Sequence, residues 1–177
     1  MDTEEWSVIE SKTEYETSWY DGGYDRVLQP DGTRKKYYWA ELSDAVVVVA
    51  RTGDELVFIN QYRPTVREHC LELPAGIVES DESYTEAGRR ELLEETGYRA
   101  GNVELIEDYA CATGVLRHRR AMVYADELTE EQHDHDGNEF ITVEPVPIEN
   151  ALEVARRAPA NDATIEGILL AKNDGYI

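Results

Sequence analysis

The chain has 177 residues and a mass of 20.1 kDa, a length that suits a single compact protein with one main hydrophobic core. No apolar run approaches the ~20 residues that a membrane helix needs, and two cysteines, Cys70 and Cys111, are too few for a disulfide framework. A net charge of −21 disfavours nucleic acid and anionic membranes as partners. Together, the lack of a long apolar run and the low number of cysteines predict a soluble, cytoplasmic protein with free thiols.

The same charge indicates a salt-rich environment. Only four of the 17 basic residues are lysines: Lys12, Lys35, Lys36 and Lys172. Molar salt shortens the Debye length to about 3 Å, so an acidic, lysine-poor surface repels itself little in such a medium. We expect a halophilic protein, and an ordinary acidic protein is the alternative.

The N-terminal third of the chain predicts a small antiparallel β-sheet. Alternating polar and apolar segments predict strands at 6–11, 13–19, 24–28 and 34–41, with a turn at Gln29-Pro-Asp-Gly32. A sheet of so few strands is too small to bury its own aromatic side chains. We therefore assign residues 1–43 to a β subdomain that serves as a dimerisation sheet or substrate lid, and we predict a homodimer.

Residues 44–177 predict a second region that alternates strands and helices. Strands are predicted at 44–51, 55–63, 68–73, 102–109, 120–127 and 139–146, of which the first two form a hairpin. Helices are predicted at 83–96, from 148 to a point before Pro159, and at 162–173, with Gly97 ending the first helix. This interleaving predicts an α/β sandwich.

The first predicted helix carries the most specific chemical pattern. From Gly76 the chain reads GIVESDESYTEAGRRELLEETG. At 3.6 residues per turn, Glu91 and Glu95 are one turn apart and Glu94 lies beside them on the same face. Like charges packed in this way repel one another unless a strongly positive group lies among them. Hard divalent cations that take oxygen ligands, above all Mg²⁺ or Mn²⁺, meet that need.

This segment resembles the Nudix box, the signature of hydrolases that cleave a nucleoside diphosphate linked to another moiety. Every defining glycine and charged position is present. Gly88 stands where the family commonly has alanine, and Tyr98 stands where an aliphatic residue is commoner. The resemblance implies a Nudix-type α/β/α sandwich with a mixed central sheet, which follows the small N-terminal antiparallel sheet.

The resemblance also implies a set of metal ligands. Glu91 and Glu95 are the expected core ligands, and Glu94 is expected to contribute directly or through water. The carbonyl group of Ala75 is expected to complete the set.

Arg90 is expected to support catalysis without contacting the substrate. At the four-residue step it can pair with Glu86 or Glu94 and so orient the glutamates of the helix. We expect Glu82 to be structural. Glu79 is either a supporting group of the site or a solvated loop residue.

Two segments upstream of the box narrow the substrate class. QYRP at 61–64 and LELPAG at 71–76 resemble the ADP-ribose and nucleotide-sugar pyrophosphatase branch rather than the triphosphatase branch. Arg63 is the expected diphosphate contact, because guanidinium matches phosphate oxygens bidentately, with a surface ion pair as the alternative. Glu72 is a candidate to bind a ribose or a second metal ion.

Two tryptophans and one threonine bear on the identity of the substrate. Trp19 and Trp39 are candidates to stack an adenine, as aromatic residues of the N-terminal sheet do in this branch, and packing is the alternative. Thr113 stands where ADP-ribose pyrophosphatases typically have a proline, although Gly114 after it is kept. Other nucleotide sugars or dinucleotides are therefore open as substrates.

The segment before the last predicted strand holds a candidate general base. Glu139 matches the position where this branch has a loop glutamate that can act on the attacking water, and a solvated loop acid is the alternative. We expect His133 and His135 in the same segment to be solvated rather than metal ligands. The basic run 117–120 either contacts phosphate or pairs with nearby acids.

The sequence therefore predicts an Mg²⁺-dependent hydrolase, with Mn²⁺ as a substitute, that splits ADP-ribose or a related nucleoside diphosphate sugar into a nucleoside monophosphate and a sugar phosphate. The alternatives are a hydrolase of dinucleotide polyphosphates or other nucleoside diphosphate derivatives, a house-cleaning triphosphatase, and a non-catalytic module that senses nucleotide sugars. The intact Glu91, Glu94 and Glu95 favour an enzyme over a sensing module.

Overall fold

The structure is a computed structural model that describes residues 5–131 and 140–177. In chain order the elements are β1 (Ser7–Glu16), β2 (Asp21–Leu28), β3 (Arg34–Glu41), β4 (Ala45–Thr52), β5 (Glu55–Arg63), β6 (Glu68–Glu72), β7 (Ala75–Ile77), α1 (Tyr84–Thr96), β8 (Tyr98–Ala110), β9 (Leu116–Arg117), β10 (Arg119–Glu130), β11 (Ile141–Pro147), α2 (Ile148–Ala155) and α3 (Asp162–Asn173). Within the described residues, no helix is long and apolar enough to cross a membrane.

The chain divides into two compact units. The first unit contains the residues up to Asp44 together with Tyr109–Arg119. The second contains Ala45–Asp108 and Arg120–Ile177. The segment Tyr109–Arg119 joins the first unit although it is distant in sequence, because β9 within it pairs with β3.

The first unit is built on a four-stranded sheet in the order β1-β2-β3-β9. The pairs β1–β2 and β2–β3 are antiparallel, as predicted, whereas β9 adds to β3 in parallel. The two strands predicted at 6–11 and 13–19 are wrong, since β1 is one continuous strand that shifts its register twice. Such bulges interrupt the two-residue alternation without ending the strand.

The second unit is built on a seven-stranded mixed sheet. Its main order is β11-β5-β4-β10-β8, with β6 also paired to β5 and β7 to β4. β10 runs parallel to β4, while β5 and β7 run antiparallel to it. The predicted hairpin between β4 and β5 is confirmed. β7 and β9 are too short to show any periodicity, and the sequence analysis missed both.

Helices α1 and α3 cover the two faces of this sheet. Each helix has a glycine at the point where it packs closely against the strands. A Cβ atom on Gly88 of α1 would lie 2.7 Å from Cγ2 of Val123 and 3.6 Å from Cγ2 of Val48. A Cβ atom on Gly167 of α3 would lie 3.3 Å from Cγ2 of Val49. Because Val48 and Val49 are successive residues of β4, they point to opposite faces. The predicted α/β/α sandwich is confirmed. The close packing of α1 against Val123 explains why position 88 is a glycine.

Candidate active site

Helix α1 has well-defined ends. Ser83 caps its start in a capping box, in which the backbone N–H of Ser83 donates to Glu86 Oε2 (2.8 Å) and Ser83 Oγ accepts from the backbone N–H of Glu86. Gly97 ends the helix in the left-handed conformation at φ 72°. Both ends agree with the prediction. Of the two partners predicted for Arg90 at the four-residue step, Glu94 forms the contact, because Glu86 is bonded to the cap residue Ser83.

The guanidinium of Arg90 lies at the centre of the acidic face. Nε and Nη2 donate to Glu82 at 2.8 and 2.9 Å, and Nη2 also donates to the carbonyl oxygen of Ile77 at 2.8 Å. Nη1 donates to Glu91 at 2.8 Å and to Glu94 at 3.0 Å. These bonds use all five N–H groups that a guanidinium has. Arg90 therefore has no donor left for a substrate.

The same bonds shift the titration of the groups that form them. The hydrogen bonds that Arg90 donates to Glu82, followed by the one it donates to Glu91, raise the pKa of Arg90 well above its ordinary value. The hydrogen bond from Arg90 lowers the pKa of Glu82 in turn. Arg90 and Glu82 are therefore held in their charged forms.

Negative charge nevertheless exceeds positive charge at this face. Three carboxylates surround the single guanidinium of Arg90. Glu95 adds a fourth carboxyl group that is only 5% exposed and accepts a hydrogen bond from the backbone N–H of Ala75 at 2.9 Å. Because uncompensated charge away from water is unfavourable, a divalent cation suits this face electrostatically.

Gly76 lets Glu91 approach the chain closely. A Cβ atom at position 76 would lie 2.0 Å from Cδ and Oε1 of Glu91, so the carboxyl group of Glu91 occupies the space that any other side chain would need. The carboxyl groups of Glu91 and Glu95 thus lie beside consecutive residues of β7. The assignment of Glu91, Glu95 and the carbonyl group of Ala75 as metal ligands stays a prediction.

Among residues 5–131 and 140–177, no three acidic, histidine or cysteine side chains already stand in an arrangement that could hold a metal ion. Glu91 and Glu94 instead both accept from Nη1 of Arg90. The side chain of Glu94 is 41% exposed, whereas that of Glu91 is 13% exposed, so Glu94 can turn away from Arg90 more readily. The carboxylate oxygens at this face are nevertheless of the kind that a hard divalent cation prefers.

A second charged network lies around Glu72, which is buried. Nε of Arg63 donates to Glu72 Oε2 at 2.8 Å, and Nη2 of Arg63 forms an ion pair with the same oxygen at 2.8 Å. Gln61 Nε2 also donates to this oxygen, at 3.4 Å. Asn161 Nδ2 donates to Glu72 Oε1. Asn161 is not among the residues predicted for the site, although an asparagine just before a predicted helix is a recognisable N-cap signal. These contacts favour a role for Glu72 in holding Arg63.

The two candidate stacking residues belong to the first unit. Trp39 is half-buried, donates from Nε1 to Asp25 at 3.2 Å, and has the guanidinium of Arg117 4.0 Å from the centroid of its ring. Trp19 is 74% exposed. Thr113 lies in an exposed turn of the same unit.

The basic run 117–120 is engaged in ion pairs. Arg117 pairs with Asp25 and Glu41 within the first unit. Arg120 pairs with Asp162 and Glu166 within the second unit. These contacts match the surface-pairing alternative. Glu139, His133 and His135 lie outside the described residues.

Comparisons with known proteins identify the family of this chain. A family model described as the NUDIX domain matches residues 41–166, a range that includes the whole of α1. An ADP-ribose pyrophosphatase of Bacillus subtilis is 31% identical over 137 residues, which cover 76% of this chain and 74% of that protein. The methanol dehydrogenase activator of Bacillus methanolicus is 28% identical over 142 residues, which cover 78% and 77%.

A crystal structure of an ADP compounds hydrolase aligns with the whole of both chains at a TM-score of 0.89 and 20% sequence identity, and so shares the fold. The family match spans most of the chain and includes Arg90 and all the glutamates of α1. The chain therefore belongs to the Nudix family and is a Nudix hydrolase similar to ADP-ribose pyrophosphatases.

Proposed function

We propose that this protein is an Mg²⁺-dependent hydrolase that cleaves the pyrophosphate bond of ADP-ribose or a related nucleoside diphosphate sugar. The products are a nucleoside monophosphate and a sugar phosphate. The observation that carries the proposal is the position of the Glu91 and Glu95 carboxyl groups beside Gly76 and Ala75. The similarity to an ADP-ribose pyrophosphatase over about three quarters of each chain supports the substrate class.

In this proposal Glu91 and Glu95 hold the cation, with Glu94 binding directly or through water and the carbonyl oxygen of Ala75 completing the set. When bound, Mg²⁺ or Mn²⁺ supplies charge neutralisation for the diphosphate and activation for the attacking water. Arg90 acts as a positioning residue, because its five donors are used within the protein. It keeps Glu91 in place while Glu94 turns.

Substrate binding is assigned to three other side chains. Arg63, whose side chain is 40% exposed, contacts the diphosphate and is held by the buried carboxylate of Glu72. Trp39 and Trp19 are the candidates to stack the adenine. Replacing Arg63 with alanine should raise KM with little change in kcat, because the lost contact binds substrate and transition state alike.

Glu139 is the proposed general base, with Glu94 as the next candidate. Glu139→Gln should lower kcat by roughly 10²- to 10⁴-fold and leave KM almost unchanged, which is the usual contribution of a general base. Hydrolysis in ¹⁸O-labelled water should place the label in one product phosphate only. A wild-type kcat in this variant would transfer the role of base to Glu94 or Glu72.

A substrate panel tests the proposal as a whole. ADP-ribose, other nucleoside diphosphate sugars, dinucleotide polyphosphates and nucleoside triphosphates should be compared at equal concentration, with and without added Mg²⁺ or Mn²⁺. The expected result is the highest kcat/KM for ADP-ribose and no turnover after chelation of divalent cations. Faster hydrolysis of triphosphates, or turnover that survives chelation, would contradict the proposal.

Hydrolysis of dinucleotide polyphosphates or of other nucleoside diphosphate derivatives is the second candidate, and Thr113 favours it. If Thr113 marks a change of substrate, the panel should show brisk turnover of one of these compounds and none of ADP-ribose. Thr113→Pro should then shift the preference towards ADP-ribose. A non-catalytic sensing module would bind a nucleotide sugar without turnover of any compound in the panel.

We further propose that the protein is a cytoplasmic homodimer adapted to high salt. The first unit exposes large apolar side chains on its strands and in the segments next to them, including those of Trp6, Val8, Ile9, Tyr15, Trp19, Tyr20, Tyr37 and Tyr38. Exposed apolar patches of this kind commonly form interfaces with other chains. The net charge of −21 supports the adaptation to salt.

A further inference from the structure

The first turn of α3 is bonded to the segment that carries Glu72. Asn161 Oδ1 accepts the backbone N–H of Thr164 at 2.9 Å and so caps the helix, while Asn161 Nδ2 donates to Glu72 Oε1. The buried hydroxyl of Thr164 accepts the backbone N–H of Leu73 at 3.1 Å. The amide of Asn161 is therefore oriented at both ends, with its oxygen on the helix and its nitrogen on the carboxylate.

The bond from Asn161 determines which carboxylate oxygen of Glu72 contacts Arg63. With Oε1 held by the neutral amide of Asn161, the carboxylate offers Oε2 to Nε and Nη2 of Arg63, both at 2.8 Å. Nη1 of Arg63 makes no hydrogen bond to Glu72, and the side chain of Arg63 is partly exposed. A guanidinium held in this way loses little further freedom when it binds an anion, which favours binding.

We propose that Asn161 is a positioning residue for the diphosphate-binding guanidinium of Arg63 and acts on it through Glu72. The inference rests on the proposed function, since the contact between Arg63 and the diphosphate is part of that function. Without the amide donor, the buried Oε1 of Glu72 lacks its partner, and the carboxylate is free to rotate and take Arg63 with both oxygens. The guanidinium is then drawn towards Glu72 and away from the diphosphate.

Asn161→Ser tests the relay, because serine keeps the N-cap but cannot reach Glu72 with a donor. We expect KM to rise about tenfold and kcat to stay within about twofold, since only binding is weakened. The matched control is Asp162→Asn on the next residue, which alters the same helix terminus and the pair with Arg120 but makes no bond to Glu72. Its KM should equal that of the wild type, and an equal rise in both variants would overturn the proposal.

A double-mutant cycle separates this relay from a general structural effect. In an Arg63→Ala background, Asn161→Ser should cause no further rise in KM, because the group on which it acts is gone. A rise of the same size in that background would overturn the proposal, and so would an unchanged KM in the single variant. Thermal melting of all variants checks that each is folded.

Binding of α,β-methylene-ADP in Mg²⁺ buffer, measured by titration calorimetry, reads the diphosphate contact without turnover. Weaker binding by Asn161→Ser supports the relay, and equal binding overturns it. If no variant hydrolyses ADP-ribose but binding of the analogue still weakens, the proposed substrate is wrong and the relay stands. The two proposals can therefore fail separately.

Discussion

The contact between Gly76 and Glu91 allows a sharp test of the metal site. A Cβ atom at position 76 would lie 2.0 Å from Cδ and Oε1 of Glu91 and 2.3 Å from Oε2. Favourable separations between such atoms are about 3.5 Å or more. In Gly76→Ala the carboxyl group of Glu91 must therefore move by about 1.5 Å, or the backbone must move by a similar distance.

We expect Gly76→Ala to lower kcat/KM by about 10²-fold or more, because a misplacement of about 1 Å can cost that much in a catalytic site. The concentration of Mg²⁺ needed for half-maximal activity should rise as well, since a proposed core ligand is displaced. Stability should change little, because Arg90 keeps its bonds to Glu82 and Glu94. Initial rates across an Mg²⁺ titration and a thermal melt measure both effects.

Gly88→Ala is the matched control, because it makes the same glycine-to-alanine substitution at another position of the Nudix box. Its Cβ atom would lie 2.7 Å from Cγ2 of Val123 in the core, so we expect overpacking to lower the melting temperature by several degrees. The Mg²⁺ requirement should stay close to that of the wild type. If Gly76→Ala keeps kcat/KM within about tenfold of the wild type with the same Mg²⁺ requirement, Glu91 is not a core ligand.

Three further predictions concern the charge and the assembly. Glu95→Gln should nearly abolish turnover while the fold survives, because the amide oxygen can still accept the N–H of Ala75, and turnover within about tenfold of the wild type would reject Glu95 as a ligand. Raising KCl to molar levels should raise the melting temperature by screening the net charge of −21, and a flat or falling dependence would remove the halophilic proposal. Light scattering should give twice the chain mass of 20.1 kDa, and a monomer at working concentration would contradict the proposed dimer.

The sequence by itself determined helix α1 and most strands of the second unit. The ends of α1 depend on Ser83 and Gly97, whose capping chemistry acts within a few residues of each terminus. The common face of Glu91 and Glu95 follows from helical periodicity alone. These features were predictable because their causes are local in the chain.

Only the tertiary structure decided which hydrogen-bond partners the charged groups of the site have. Besides Glu91 and Glu94 of its own helix, Arg90 binds Glu82 and the carbonyl oxygen of Ile77. The path of the chain between β7 and α1 sets the last two contacts. Asn161 reaches Glu72 across a sequence separation of 89 residues, a pairing that no local pattern could reveal. The segment Tyr109–Arg119 joins the first unit because β9 completes its sheet. Hydrogen bonds between distant residues depend on how α3 and the strands pack, and periodicity carries no information about that packing.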